Sequence, residues 1–101
     1  MIFAALREAA DRNELILVEN GLCRFHLRRG GDLVIREVIV LPSARRQGIG
    51  SKIVHWVCKT HRGIVIAKCP KEYESNSFWA ALGFCLVRET KGINEWQLDL
   101  S

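Results

Sequence analysis

The sequence predicts a mixed α/β fold, with helices flanking a central β-sheet, and three features support this prediction. The run "IVIAK", Ile64 to Lys68, is short, continuous and β-branched, as in a strand buried on both faces. Apolar residues after Gly48 recur every three to four positions, which is the spacing of an amphipathic helix. Strand and helix patterns follow one another along 101 residues, a length that suits one domain over residues 1–101.

The first half of the chain predicts a helix followed by three strands. Phe3, Leu6 and Ala10 lie at helical spacing, so residues 2 to about 11 are predicted to form a short amphipathic helix. Three apolar or alternating runs after it predict strands, and glycine-containing pairs between them predict turns. The strands are Leu15–Glu19, Leu22–Arg29 and Leu33–Leu41, and the turns are Asn20-Gly21 and Gly30-Gly31-Asp32.

The second half predicts two helices and three strands. The first helix begins near Gly48, and its apolar face consists of Ile49, Ile53, Trp56 and Val57. After the strand Ile64–Lys68, Ser75 or Asn76 could cap a second helix that ends near Gly83. The last two strands and their turn are predicted at Cys85–Glu89, Glu95–Leu100 and Lys91-Gly92. The resulting order is α-β-β-β-α-β-α-β-β.

Composition and charge limit the classes of function. No apolar run approaches the ~20 residues of a membrane-spanning helix. The first residues also carry charge too early for a secretory signal. We therefore expect a cytoplasmic protein without a membrane partner. The formal net charge of +4 favours a phosphate-bearing partner, and a merely solvated basic surface is the alternative.

Four cysteines raise the question of a metal site. Cys23-x-x-His26 and Cys58-x-x-His61 resemble two halves of a zinc site. The first pair lies in a predicted strand, however, where an offset of three directs the side chains to opposite faces. Each cysteine also has apolar neighbours, as a small core residue would. We therefore expect no metal and, in a reducing compartment, no disulfide.

The segment "VIREVIVLPSARRQGIGSKIV", Val34 to Val54, is the most informative part of the chain. It runs from a strand through two arginines and two glycines into a helix. The start of a helix leaves backbone N–H groups without partners at the positive end of the helix dipole. Gly48 and Gly50 would let a phosphate approach the backbone, Arg45 and Arg46 would add charge, and Ser51 could donate a hydroxyl. These residues predict a phosphate-binding loop, and a tight turn with solvated arginines is the alternative.

Two motifs in this order resemble the GNAT acyltransferase superfamily. The run V-x-V-x-P-x-x-R-R-x-G-I-G resembles its coenzyme A-binding motif, Arg/Gln-x-x-Gly-x-Gly/Ala, at Arg45, Gly48 and Gly50. The segment "SNSFWAALGF", Ser75 to Phe84, resembles its second motif, in which a helix carrying an aromatic pair leads to Gly-Phe. The resemblance extends over roughly Leu15 to Leu100. It implies a GNAT-like fold in which the part before Leu15 is reduced.

The resemblance also implies a cosubstrate, acetyl-CoA, and the residues that hold it. The pantetheine arm would lie between strand Val38–Val40 and strand Ile64–Lys68, with the N–H near Val40 polarising the thioester carbonyl. Asn76 and Trp79 would face that arm. Backbone amides after Arg45 would hold the pyrophosphate, and these belong to Arg46, Gln47, Gly48, Ile49, Gly50 and Ser51.

Direct acetyl transfer to a primary amine needs a base, and an acid assists the leaving thiolate. One frequent position of the family's carboxylate falls on Val34, which cannot serve, and another falls on Glu37. Glu37 is therefore the candidate base, with a salt bridge to Arg36 or another basic residue as the alternative role. Trp79 occupies the position of the family's usual tyrosine acid. Tyr73 is the nearby substitute, unless it only caps the loop after the buried strand.

The resemblance thus predicts an acetyl-CoA-dependent N-acetyltransferase acting on an unidentified amine acceptor. A non-catalytic acyl-CoA-binding module is the first alternative, because Val34 and Trp79 depart from the family pattern. A small basic nucleic-acid-binding protein is the second, although no basic stripe with interleaved aromatic residues supports it. The shortened N-terminal part would expose an edge strand, so a homodimer is also expected.

Overall fold

The computed structural model describes Arg7 and residues 10–101, and from Leu15 to Asp99 the chain forms a six-stranded mixed sheet and two α-helices. The strands are β1 (Leu15–Val18), β2 (Gly21–Leu27), β3 (Leu33–Val40), β4 (Ile64–Pro70), β5 (Cys85–Thr90) and β6 (Ile93–Asp99). The helices are α1 (Ile49–Cys58) and α2 (Ser75–Ala81), and a 3₁₀ helix spans Pro42–Ala44. The strand order in the sheet is β1-β2-β3-β4-β6-β5.

The predicted mixed α/β class is confirmed, and the order of elements matches the prediction from Leu15 onward. The predicted N-terminal helix lies mostly outside the described residues, including Phe3 and Leu6. Arg7, Ala10 and Asp11 are helical. No helix in the described part of the chain is long and apolar enough to cross a membrane. The chain forms two compact units, which are Met1–His26 with Ile35–His61, and Leu27–Val34 with Arg62–Ser101.

In the first unit, β1 and β2 form a hairpin whose turn differs from the prediction. Val18 pairs with Gly21, so the two-residue loop is Glu19-Asn20, and Asn20-Gly21 is wrong by one position. Asn20 has a φ of 70°, which asparagine tolerates better than most residues. A Cβ atom at Gly21 would lie 2.8 Å from the Ile39 carbonyl oxygen. Gly21 is therefore needed for close packing and not for the turn.

Helix α1 buries a different set of residues from the predicted face. Ile53, Val54 and Cys58 are buried, whereas Trp56 is 57% exposed. A buried face that includes adjacent residues 53 and 54 is rotated away from Trp56, because successive helical residues are about 100° apart. The apolar spacing therefore predicted the helix correctly but misplaced Trp56.

In the second unit, β4 pairs with β6 in antiparallel fashion from Ile64↔Asp99 to Pro70↔Ile93. Val65, Ile66 and Ala67 are all buried, which confirms the prediction of a strand covered on both faces. Strands β5 and β6 are joined at Lys91 and Gly92, which both have positive φ, as a two-residue hairpin turn of this kind requires.

Helix α2 ends as predicted and begins differently. Gly83 has a φ of 91°, and the Phe84 N–H donates to the Trp79 carbonyl at 3.1 Å, so a glycine closes the helix. At the other end Glu74 occupies the cap position without a side-chain capping bond. The predicted caps, Ser75 and Asn76, are the first two helical residues.

Candidate functional site

The loop between β3 and α1 has an unusual backbone. Its 3₁₀ helix is anchored by the buried Ala44, and Arg45 then continues in an extended conformation. Arg46 and Gly48 both have positive φ, 67° and 74°. A Cβ atom at Gly48 would meet nothing within 4 Å, so glycine is favoured there by conformation and not by space. Successive turns of this type direct backbone N–H groups toward a common region.

The N–H groups of this loop have no backbone acceptors among the described residues. The first N–H of the helix that makes a backbone hydrogen bond is that of Lys52, which donates to the Gly48 carbonyl at 3.1 Å. Residues 46–51 donate no backbone hydrogen bond to the described part of the chain. The first turn of α1 also carries no acidic side chain. Six consecutive N–H groups without a backbone acceptor in the described chain, at the positive end of a ten-residue helix, fit an anion such as a pyrophosphate.

Basic residues lie next to these donors in the sequence. Arg45 and Arg46 are exposed, and the Arg45 Nε donates to the Val40 carbonyl at 3.4 Å. Lys52 is exposed in the first turns of α1, and Ser51 is partly buried beside it. The loop therefore combines backbone donors that lack acceptors in the described chain with exposed positive charge, as phosphate-binding sites do. All the predicted pyrophosphate-binding residues lie on this one stretch.

Glu37, the candidate base, lies on β3 and is already paired. Its Oε1 accepts a hydrogen bond of 2.6 Å from Nη2 of Arg24, and the two side chains are about one-third exposed. The partner is Arg24 on β2 and not the neighbouring Arg36. The Arg24 Nε is buried and has no partner in the described part of the chain. Val34, at the other frequent carboxylate position, is buried with 4% exposure.

Three predicted residues belong to the second unit. Tyr73 is 58% exposed in the turn between β4 and α2. Trp79 is 7% exposed and packs edge to face against Phe78 and Phe84, with ring centroids 5.0 and 5.1 Å away. This packing favours a core role for Trp79. The Asn76 side chain hydrogen-bonds to backbone and side-chain groups of its own unit, which favours a structural role there too.

The cysteines do not form a nucleophilic or metal-binding arrangement. Burial raises the pKa of Cys23 to about 12, with the nearby Cys58 adding to the effect, and burial raises the pKa of Cys58 as well. His26 contacts the Glu14 carboxylate through Nδ1 and not Cys23. The described residues contain no cluster of three or more histidine, cysteine or acidic side chains that could hold a metal ion.

The sequence prediction missed three participants, Arg24, Asn94 and Trp96. Arg24 was not recognised as the partner of Glu37, because only strand pairing places an arginine of β2 beside β3. Asn94 and Trp96 were not recognised as partners of Asn76 for the same reason. The alternation of polar and apolar residues on β2 indicates that Arg24 and His26 share a face, but it does not indicate what they meet.

Comparisons with known proteins agree with this architecture. No curated protein matches the chain. Among solved structures, this chain is similar to a PaiA N-acetyltransferase from Thermoplasma acidophilum in complex with coenzyme A. The two chains are 9% identical, the match covers 91% of this chain and 65% of that one, and the TM-score is 0.75. It is also similar to Arabidopsis thaliana Naa50 in complex with the bisubstrate analogue CoA-Ac-MVNAL, with 18% identity, 78% and 64% coverage, and a TM-score of 0.62.

A third similar structure is a GNAT-family acetyltransferase from Desulfovibrio desulfuricans, with 15% identity, 81% and 62% coverage, and a TM-score of 0.66. The chain thus spans 62% to 65% of the length of these three proteins, and at such identities the likeness shows the fold alone. The sequence model of the acetyltransferase (GNAT) domain matches residues 2–86. Since this match covers well over half of the chain, the protein belongs to the GNAT acetyltransferase family.

Proposed function

We propose that the protein is an N-acetyltransferase that transfers the acetyl group of acetyl-CoA to a primary amine. The observation that carries this proposal is the loop of residues 46–51, whose N–H groups lack acceptors in the described part of the chain. The same loop contains two positive-φ residues and leads into the start of α1, and a pyrophosphate bound there would neutralise the charge of Arg45 and Arg46.

In the proposed reaction the amine nitrogen attacks the thioester carbonyl carbon directly. The new C–N bond forms as the C–S bond breaks, and the sulfur leaves with the bonding electron pair. Glu37 accepts the proton of the amine, directly or through a water molecule, and Tyr73 donates a proton to the departing thiolate. The N–H of Val40 polarises the carbonyl oxygen. Arg24 holds the Glu37 carboxylate in place through the 2.6 Å hydrogen bond.

A second candidate function is acyl-CoA binding without turnover. The pairing of Glu37 with Arg24 supports it, because Oε1 of the carboxylate is already occupied by the guanidinium and is not available to the amine. The burial of Val34 and Trp79, where the family's carboxylate and tyrosine are frequent, supports it as well. Both candidates require the same loop, so they differ only in whether free coenzyme A is released when an amine is added.

The first experiment is isothermal titration calorimetry of acetyl-CoA with the unaltered chain, Gly50→Trp and Gly50→Ala. Gly50 lies in α1, and an indole there would block the approach of the pyrophosphate to the backbone. Alanine is a matched control, because the family's motif itself accepts Gly or Ala there. Saturable binding that is lost only in Gly50→Trp supports the loop as the binding site. Absence of binding at millimolar acetyl-CoA would contradict both candidate functions.

Turnover is tested separately, by measuring the thiol released from acetyl-CoA with spermidine or with a peptide that has an unblocked N-terminus. Amine-dependent release supports the transferase. Tight binding of acetyl-CoA without release for either amine supports the binding module.

We also propose that the protein forms a homodimer through β1. This strand is at one end of the described sheet, and its Leu17 and Val18 are 70% and 41% exposed. An apolar groove of about 420 Å³ adjoins it, lined by Val18, Glu19, Ile49, Lys52, Ile53 and Trp56. A second copy would cover both surfaces. Sedimentation of the unaltered chain and of Leu17→Lys tests this, since only the unaltered chain should dimerise.

The cytoplasm remains the proposed location. All four cysteines are free, and Cys85 is exposed, which suits a reducing compartment. Fractionation of cells that produce the tagged chain tests this proposal.

A further inference from the structure

The turn between β4 and α2 is organised by one side chain. Nδ2 of Asn76 lies 2.9 Å from the Pro70 carbonyl oxygen, 3.1 Å from that of Lys71 and 2.8 Å from that of Tyr73. An amide nitrogen has two hydrogens, so these three acceptors share two donors. The three carbonyls are thereby directed toward a single nitrogen, and the conformation of residues 70–73 depends on it.

The other end of the same side chain is attached to β6. Oδ1 of Asn76 accepts a hydrogen bond from Trp96 Nε1 at 2.9 Å and another from Asn94 Nδ2 at 3.1 Å. Trp96 is buried, with 9% exposure, so its indole is a fixed anchor. Every polar atom of the Asn76 side chain is thus engaged within its own unit. Such a side chain has little capacity left to bind the pantetheine arm.

This turn also carries Tyr73, the candidate acid of the proposed function. Its N–H donates to the Pro70 carbonyl at 3.0 Å, and its own carbonyl accepts from the Asn76 N–H at 3.2 Å as well as from Nδ2. The main chain of Tyr73 is therefore held by residue 76 twice, whereas its phenol side chain is 58% exposed and accessible. A catalytic group works best when its main chain is held in place and its side chain can reach the reacting atom, and Tyr73 has both properties.

We propose that Asn76 is a positioning residue for Tyr73, a role that rests on the proposed acetyltransferase function. As the C–S bond breaks, its electron pair moves to sulfur, and the Tyr73 hydroxyl gives that sulfur its proton. The phenolate then regains a proton from water, and Glu37 releases the proton of the amine to the solvent, so that both side chains return to their starting states. Asn76 touches none of the reacting atoms. It fixes the direction in which the phenol leaves the turn, and so affects kcat through Tyr73 alone.

The test is a double-mutant cycle between Asn76→Asp and Tyr73→Phe. Asn76→Asp keeps an acceptor oxygen for Trp96 and Asn94 but replaces the amide donor that holds the three carbonyls. Coenzyme A release is measured with saturating spermidine or an unblocked peptide, whichever gives turnover with the unaltered chain. Ser77→Ala is the matched control, because Ser77 Oγ donates to the Glu74 carbonyl at 2.7 Å in the same turn.

We expect Tyr73→Phe to lower kcat about 100-fold, the lower end of general-acid catalysis. Asn76→Asp should lower kcat about tenfold or more with an unchanged KM for acetyl-CoA, and should have no further effect when added to Tyr73→Phe. Ser77→Ala should keep kcat within about twofold, as a change outside the coupled pair would.

Additive losses of kcat in the double variant would overturn the positioning role, and so would a loss confined to KM. If Asn76→Asp does not fold, Asn94→Ala replaces it, since it weakens the support of Asn76 from β6 and should show the same dependence on Tyr73. An unaltered chain that binds acetyl-CoA but turns over neither amine would overturn the proposed catalytic function, and the role of Tyr73 with it. Additive losses in an active enzyme would overturn the positioning role alone.

Discussion

The loop from β3 to α1 and the turn from β4 to α2 both connect a strand to a helix, but they satisfy their polar groups in opposite ways. In the first, the N–H groups of residues 46–51 have no acceptor in the described chain, and two arginines are exposed. In the second, Asn76 alone makes five side-chain hydrogen bonds. The unpaired donors of the first connection are the basis of the proposed ligand site, whereas the polar groups of the second connection are already satisfied within the protein.

The largest expected effect comes from reversing charge in the first loop. We expect the Arg45→Glu/Arg46→Glu double variant to weaken acetyl-CoA binding about 100-fold, equivalent to about 2.7 kcal/mol, because carboxylates would face the pyrophosphate. Calorimetry at low and high salt measures it, and the loss should shrink at high salt. Arg28→Glu/Arg29→Glu changes the same charge on another exposed arginine pair. Equal losses in both double variants would mean that overall charge, and not the loop, attracts the ligand.

The second effect concerns the saturated turn. Asn76→Ala should lower the free energy of unfolding by about 2 kcal/mol, because three carbonyls and the buried Trp96 N–H lose their partner. Urea denaturation followed by tryptophan fluorescence measures the change. Ser77→Ala removes one exposed hydrogen bond and should cost about 0.5 kcal/mol. If the two variants are equally stable, the turn does not depend on Asn76 and the contrast between the two connections is lost.

A third prediction concerns the buried core of the first unit and how its stability depends on pH. The pKa of Cys23 is raised from 9.0 to about 12 by burial and by Cys58. Below pH 9 both the folded and the unfolded chain keep this proton, so the contribution to stability is constant. Above it the unfolded chain loses the proton and the folded chain keeps it, so the free energy of unfolding should fall by up to about 1.4 kcal/mol per pH unit.

Urea denaturation of the unaltered chain and of Cys23→Ala between pH 8 and 10.5 measures this slope. Cys23→Ala should be less stable at pH 8 because it leaves a small cavity, but its stability should fall less steeply with pH. Parallel curves for the two proteins would show that Cys23 is not the group responsible.

The smallest effects distinguish the two glycines of the first loop. Gly48→Ala should destabilise the protein by about 1 kcal/mol, because a φ of 74° is costly for any residue with a Cβ atom. Gly50 is helical, so Gly50→Ala should instead stabilise it by up to about 1 kcal/mol. Thermal denaturation measures both, and shifts in the same direction would contradict the assigned backbone conformations.

Local sequence patterns predicted the elements whose structure depends on a few neighbouring residues. The strand Ile64–Pro70, the glycine end of α2 and the Lys91-Gly92 hairpin were predicted from residue types, because burial on both faces and positive φ restrict the choice of residue. The sequence also predicts an anion site between β3 and α1, because a strand is followed there by two arginines, two glycines and the start of a helix. The N–H groups of residues 49–51 belong to the first turn of α1, which leaves such groups without partners inside the helix.

Long-range contacts could not be predicted in this way. The Asn-Gly pair predicts a turn at Gly21, but the role of Gly21 is the close approach of Ile39, which is far away in the sequence. The sequence predicts a helix cap or a ligand contact for Asn76 and, as the alternative role of Glu37, a salt bridge to Arg36 or another basic residue. Nothing local identifies Trp96 or Arg24 as the partners. Side-chain chemistry restricts what a residue can bind, but the register of the strands decides what it meets.

The cysteines have a practical consequence for these experiments. Cys23, Cys58 and Cys69 are buried, with exposures of 0%, 9% and 3%, and Cys85 alone of the four is exposed. Since thiol reagents need both access and a thiolate, a maleimide dye should attach to the native chain at residue 85 alone. The unaltered sequence thus provides a single fluorescent labelling site on β5, outside both the loop and the turn, so binding could be followed by optical titration without engineering.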